Sequence, residues 1–68
     1  MTESQKEFLR QRNIDYDFDN LSEDEANNIV DFAMNLFQIE GFTGDEVTEI
    51  GLMCEQIIDW IEDNRLLL

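Results

Sequence analysis

Apolar residues return along the chain in three blocks, and the two longer blocks keep helical spacing. Ala26, Ile29, Val30, Ala33, Leu36 and Phe37 recur every three or four positions, which places their side chains on one face of an α-helix. Val47, Ile50, Cys54, Ile57, Ile58 and Ile61 repeat the pattern, widened by Met53 and Trp60. A shorter block contributes mainly Phe8 and Leu9. Near the start of each block a hydroxyl residue is followed three positions later by Glu or Gln: Thr2 with Gln5, Ser22 with Glu25, and Thr43 with Glu46. In such a capping box the hydroxyl accepts from the backbone N–H three residues on, and the longer side chain reaches back to the cap's own N–H. Leu21 with Ala26, and Phe42 with Val47, stand at the staple positions around the second and third boxes. The pattern predicts helices from about Glu3 to Arg12, from Ser22 to about Glu40, and from Thr43 to about Asn64, with Gly41 stopping the second and no proline interrupting any.

The connection from Gly41 to Thr43 is so short that the second and third helices are expected to form an antiparallel hairpin. The linker from Asn13 to Leu21 carries Ile14, Tyr16 and Phe18 at alternate positions. Alternation suits an extended segment that lays apolar side chains onto the hairpin and leaves the aspartates between them in water. Gly51 falls inside the third helix, where glycine costs about 1 kcal/mol relative to alanine. Close approach by the first helix or the linker would explain it. Met34, Met53 and Cys54 are expected as core fillers, rather than a partner groove or a nucleophile. The expected fold is all-α: a single domain spanning residues 1–68, a small three-helix bundle with a short first helix and a hairpin of the second and third.

Size and composition narrow the function. A chain of 68 residues buries only about 60% of its unfolded surface, which leaves little room for an enclosed substrate pocket beside a core. Enzymatic activity is not expected, and neither is a cofactor. The 43% apolar content, with Trp60 and five phenylalanines, exceeds what a disordered acidic tail carries. A lone cysteine and no histidine exclude an internal disulfide and a cysteine-rich zinc site. The start Met1-Thr2-Glu3-Ser4-Gln5-Lys6 lacks the apolar core of a signal peptide, and no apolar run approaches the roughly 20 residues of a membrane span. A cytoplasmic protein without membrane contact is expected.

Charge changes the picture most. The formal net charge is −13, from 17 acidic and 4 basic residues. Lys6, Arg10 and Arg12 all lie in the first twelve residues, and residues 13–64 hold no base at all. Direct nucleic-acid binding is disfavoured, because phosphate contacts need Lys and Arg. A surface of one sign repels itself and lowers stability. Duplex DNA carries one negative charge per roughly 1.7 Å of axis, and a helix advances about 1.5 Å per residue. Carboxylates every three or four residues on neighbouring helices therefore approach phosphate spacing. The candidate partner-binding charges are Asp15, Asp17 and Asp19 on the linker, Glu23, Asp24 and Asp31 on the second helix, and Asp45, Glu46 and Glu49 opening the third. Several of these sit at helix N-termini, where the helix dipole favours carboxylates for purely local reasons.

In size, acidity and helical content the chain resembles small phage-encoded inhibitors of host DNA-binding proteins, the DNA mimics and some anti-CRISPR proteins. Thr2-Glu3-Ser4-Gln5 with Phe8-Leu9, then Leu21-Ser22, Glu25-Ala26 and Ile29, is similar to a short helical module of phage and bacterial DNA-metabolism proteins. That module usually has lysine or another polar residue where Glu23 and Asp24 stand here. The resemblances imply a partner that is a basic nucleic-acid-binding protein, met in the host cytoplasm, and they transfer no catalytic residue.

Two alternatives stay open. Asp15, Asp17 and Asp19 have the one-three-five spacing of an EF-hand loop, but Asn20 replaces its glycine and Ala26 its bidentate glutamate. Only weak divalent-cation binding follows, so no metal site is assigned. Leu66, Leu67 and Leu68 end the chain, and three consecutive leucines call for cover by the first helix, a two-fold dimer seam or a docking partner.

Overall fold

The computed structural model describes residues 1–66, and the side chains of residues 1–64. Three helices, α1 (Glu3–Arg10), α2 (Glu23–Glu40) and α3 (Glu49–Leu66), carry most of it, with a two-stranded antiparallel ribbon of β1 (Phe42–Thr43) and β2 (Glu46–Val47) between the long helices. The fold is therefore mainly helical without being purely all-α.

The first two capping boxes form. Gln5 N–H donates to Thr2 Oγ1 at 3.1 Å while Gln5 Oε1 accepts from the Thr2 N–H at 3.0 Å. Ser22 and Glu25 repeat the exchange at 3.1 and 3.0 Å, with Leu21 and Ala26 both packed into the core. α1 stops at Arg10 rather than Arg12 because Asn13 adopts a left-handed φ of 67°. The Asn13 N–H then donates to the Arg10 carbonyl and the Ile14 N–H to the Leu9 carbonyl, the paired bonds of a Schellman ending.

The third box does not form. Gly44 takes φ 63°, and Gly44-Asp45 becomes the two-residue loop of a hairpin pairing Thr43 with Glu46 and Phe42 with Val47. Glycine at the first loop position with positive φ is what a II′ turn requires. The expected staple pair does meet, as a cross-strand pair, and Val47 leaves the α3 stripe. α3 is capped instead by Thr48, whose Oγ1 accepts from the Gly51 N–H at 3.0 Å and donates to the Glu40 carbonyl at 2.8 Å. The Thr48 N–H donates to the Gly41 carbonyl at 2.8 Å. One residue thus joins the end of α2 to the start of α3.

The core gathers Leu9 of α1, Phe18 of the linker, Ala26, Ile29 and Val30 of α2, and Ile57 and Ile61 of α3. Ile14 and Tyr16 pack against it while Asp15, Asp17 and Asp19 face water, as the alternation requires. Gln5 is buried and its Nε2 donates to Gln56 Oε1 at 3.4 Å, a link from α1 to α3. Gly51 answers a close approach, but not by α1 or the linker. A Cβ there would stand 2.5 Å from the Gly41 carbonyl oxygen and 2.8 Å from Val47 Cγ1, so α3 meets the end of α2 and the ribbon. Cys54 and Met53 are buried or half-buried as expected, whereas Met34 is 48% exposed. The cover of Leu66, Leu67 and Leu68 lies outside the described side chains. Among the described residues no helix is long and apolar enough to cross a membrane.

Candidate partner-binding surface

All nine candidate carboxylates are exposed: Asp15, Asp17, Asp19, Glu23, Asp24, Asp31, Asp45, Glu46 and Glu49. Their surroundings divide them. Around α1 the cations meet acids locally, with Lys6 Nζ 3.6 Å from Glu3 and 3.8 Å from Asp19, and Arg10 3.8 Å from Glu7 and 3.6 Å from Asp15. Arg10 also lies 5.7 Å from the centre of the Phe18 ring. Arg12 is spent differently: its guanidinium stands 3.9 Å over the Phe8 ring and donates to the Phe8 carbonyl at 3.1 Å. Asp17 has a structural task, since its Oδ1 accepts from the Asp19 N–H at 3.2 Å and holds the linker's turn.

On the rest of the molecule this compensation stops. Glu23, Asp24 and Asp31 stand on α2, Asp45 in the ribbon's loop, Glu46 on β2, and Glu49 in the first turn of α3. Asp45 and Glu46 were expected in that first turn and are displaced by the hairpin. None of these six is ion-paired among the described residues. The expected set also omitted acids further along α3. Glu55 and Asp59 are exposed, separated by one helical turn and equally without an ion pair among the described residues. Their i, i+4 spacing beside Ile58 was the signal that could have found them.

Those two carboxylates border an open groove of about 530 Å³, lined by Met34, Phe37 and Gln38 of α2 and by Glu55, Ile58 and Asp59 of α3. The apolar surface continues onto the ribbon, where the Phe42 ring meets Phe37 edge-on at 4.8 Å and is itself 50% exposed.

Among the described residues no three carboxylates or thiols converge as a metal site. Cys54 is fully buried, and burial pushes its thiol above its ordinary range, with nearby Arg12 opposing and Glu40 reinforcing the shift. A thiol kept protonated and out of water is a poor nucleophile. No protein-family model matches the chain, and neither a curated protein nor a solved structure matches it.

Proposed function

We propose that this chain is a non-enzymatic inhibitor or sequestering protein that occupies a basic nucleic-acid-binding surface of a partner protein with an acidic, DNA-like face. The supporting observation is the segregation of charge: the cations of α1 are met by Glu3, Glu7, Asp15 and Asp19, while α2, the ribbon and the first half of α3 present carboxylates that are in no ion pair among the described residues. The face is centred on Glu23, Asp24, Asp31, Asp45, Glu46 and Glu49, extended by Glu55 and Asp59. Asp15, Asp17 and Asp19 form its partly neutralised margin. Occupancy of this kind needs a surface and no chemistry. The cytoplasm, of the host if the chain is phage-encoded, is where such a partner would be met.

Within the same proposal α2 and α3 run antiparallel. Thr48 ties the end of α2 to the start of α3, and both helices reappear side by side along the groove.

The decisive experiment is competition with duplex DNA for a basic DNA-binding protein recovered from host lysate, at low and high salt. The chain is expected to displace DNA, with affinity falling steeply as salt rises. Combined replacement of Asp24, Asp31, Asp45, Glu46 and Glu49 by Asn or Gln is expected to abolish displacement while helicity is unchanged. Full displacement by that variant would overturn the proposal.

A further inference from the structure

The groove between α2 and α3 combines features that charge mimicry alone does not require. A surface that only imitates phosphates gains nothing from exposed apolar side chains, and exposed methionine is a liability in water. Yet Met34 is 48% exposed, although its place in the α2 pattern would have suited it to the core. It lines one bank with Phe37, and Ile58 lines the other. Beside Ile58 stand Glu55 and Asp59, and neither is ion-paired among the described residues. The hollow is large enough for one or two apolar side chains and too open to enclose a small molecule.

From this juxtaposition we infer that the groove docks a cationic amphipathic helix of a partner protein. The partner's apolar stripe would seat on Met34, Phe37 and Ile58, and its flanking Lys or Arg would reach Glu55 and Asp59. Methionine, unbranched and polarisable, adapts its shape to such a stripe. Charge complementarity selects this occupant over a second copy of the chain. Two copies would bring like-charged rims together on molecules of net charge −13 each. The inference deepens the proposed function, since it names the segment of the basic partner that is gripped, and it is tested separately from DNA competition.

The test uses the full chain and three synthetic peptides of about twenty residues, labelled for fluorescence anisotropy. The first is a helical Leu/Lys peptide with one apolar stripe; the second has the same composition scrambled to remove the stripe; the third keeps the stripe with Lys replaced by Gln. The striped cationic peptide is expected to bind at least about tenfold more tightly than either control. Met34→Lys should weaken it by about tenfold or more. Glu55→Gln with Asp59→Asn should weaken it less and flatten its salt dependence. Phe37→Ala supplies a second apolar probe, and circular dichroism with thermal melting identifies any variant that fails to fold. Equal binding of the striped and scrambled cationic peptides, unchanged by Met34→Lys, would reduce the effect to general attraction between opposite charges and overturn the inference. It would leave DNA competition by the acidic face intact. A self-associated chain that Met34→Lys dissociates in analytical ultracentrifugation would also overturn it, giving the groove to a second copy. Conversely, groove-dependent peptide binding without displacement of DNA would uphold the groove and refute the mimic.

Discussion

The N-terminal region, α1 with its linker, and the region from α2 to α3 solve the same problem of excess negative charge in opposite ways. In the first, Lys6 and Arg10 each bridge two carboxylates and Arg12 caps an aromatic ring. In the second, residues 23–64 place carboxylates on both long helices and the ribbon with no base between them in the sequence, above a core of Ile29, Val30, Ile57 and Ile61. Exposed ion pairs contribute little each, about 0–1 kcal/mol, so the first region is not stable because of them. Its ties to the rest are Leu9, Phe18 and the Gln5–Gln56 bond. What the contrast teaches is that stability and charge are carried by different residues. The apolar core holds both regions together, and the unpaired charge stays at the surface.

The largest expected effect tests that shared core. Leu9 belongs to α1 but is fully buried in the common cluster, so Leu9→Ala should cost about 2–5 kcal/mol by leaving a cavity. Chemical denaturation followed by Trp60 fluorescence would measure it. A small effect would mean that the N-terminal region folds independently of the long helices.

Next comes the joint of α2 with α3. Gly51→Ala gains about 1 kcal/mol of helix propensity, yet its methyl group meets the Gly41 carbonyl, which is already fixed by the Thr48 N–H. Overpacking of about 1–3 kcal/mol should win, and a melting temperature above that of the parent chain would refute the close approach.

The capping assignment gives a smaller and sharper contrast. Thr48→Val should destabilise by about 1 kcal/mol or more through loss of a helix cap. Thr43→Val, on an exposed strand, should stay within about 0.5 kcal/mol of the parent. The reverse order in paired melting curves would restore Thr43 as the cap.

Smallest of all is the charge contrast itself. Raising sodium chloride should raise the melting temperature, because screening relieves repulsion among carboxylates that lack a counter-charge. At low salt Asp31→Asn should raise it slightly. Asp15→Asn, which gives up the Arg10 contact, should raise it less or lower it. Identical shifts for the two would erase the distinction between the regions.

Ser22–Glu25 and Thr43–Glu46 carry the same four-residue signature, and their different fates show how far local rules reach. After Ser22 come Glu23 and Asp24, good first-turn residues near the positive end of a helix dipole. After Thr43 comes Gly44-Asp45, which serves equally well as a hairpin turn. The box and the turn compete for the same backbone, and Gly44 alone can take the positive φ that closes the ribbon. Thr48 left a fainter trace, because Gly51 rather than Glu or Gln occupies its third position.

The sequence by itself determined the two long amphipathic helices, the first two caps, the alternation of Ile14, Tyr16 and Phe18 with aspartates, and the confinement of the cations of residues 1–64 to the first twelve positions. These follow from periodicity and side-chain chemistry acting within a few residues. Tertiary structure decided what depends on which distant backbones meet. It set the ribbon and the Thr48 joint, the partner of Gly51, and the pairing of Arg10 with Asp15 and of Lys6 with Asp19. It also lifted Met34 out of the core to the bank of a groove beside Glu55 and Asp59. No local pattern can specify that placement, because a residue on the flank of an apolar stripe is buried or exposed according to the crossing of the neighbouring helix.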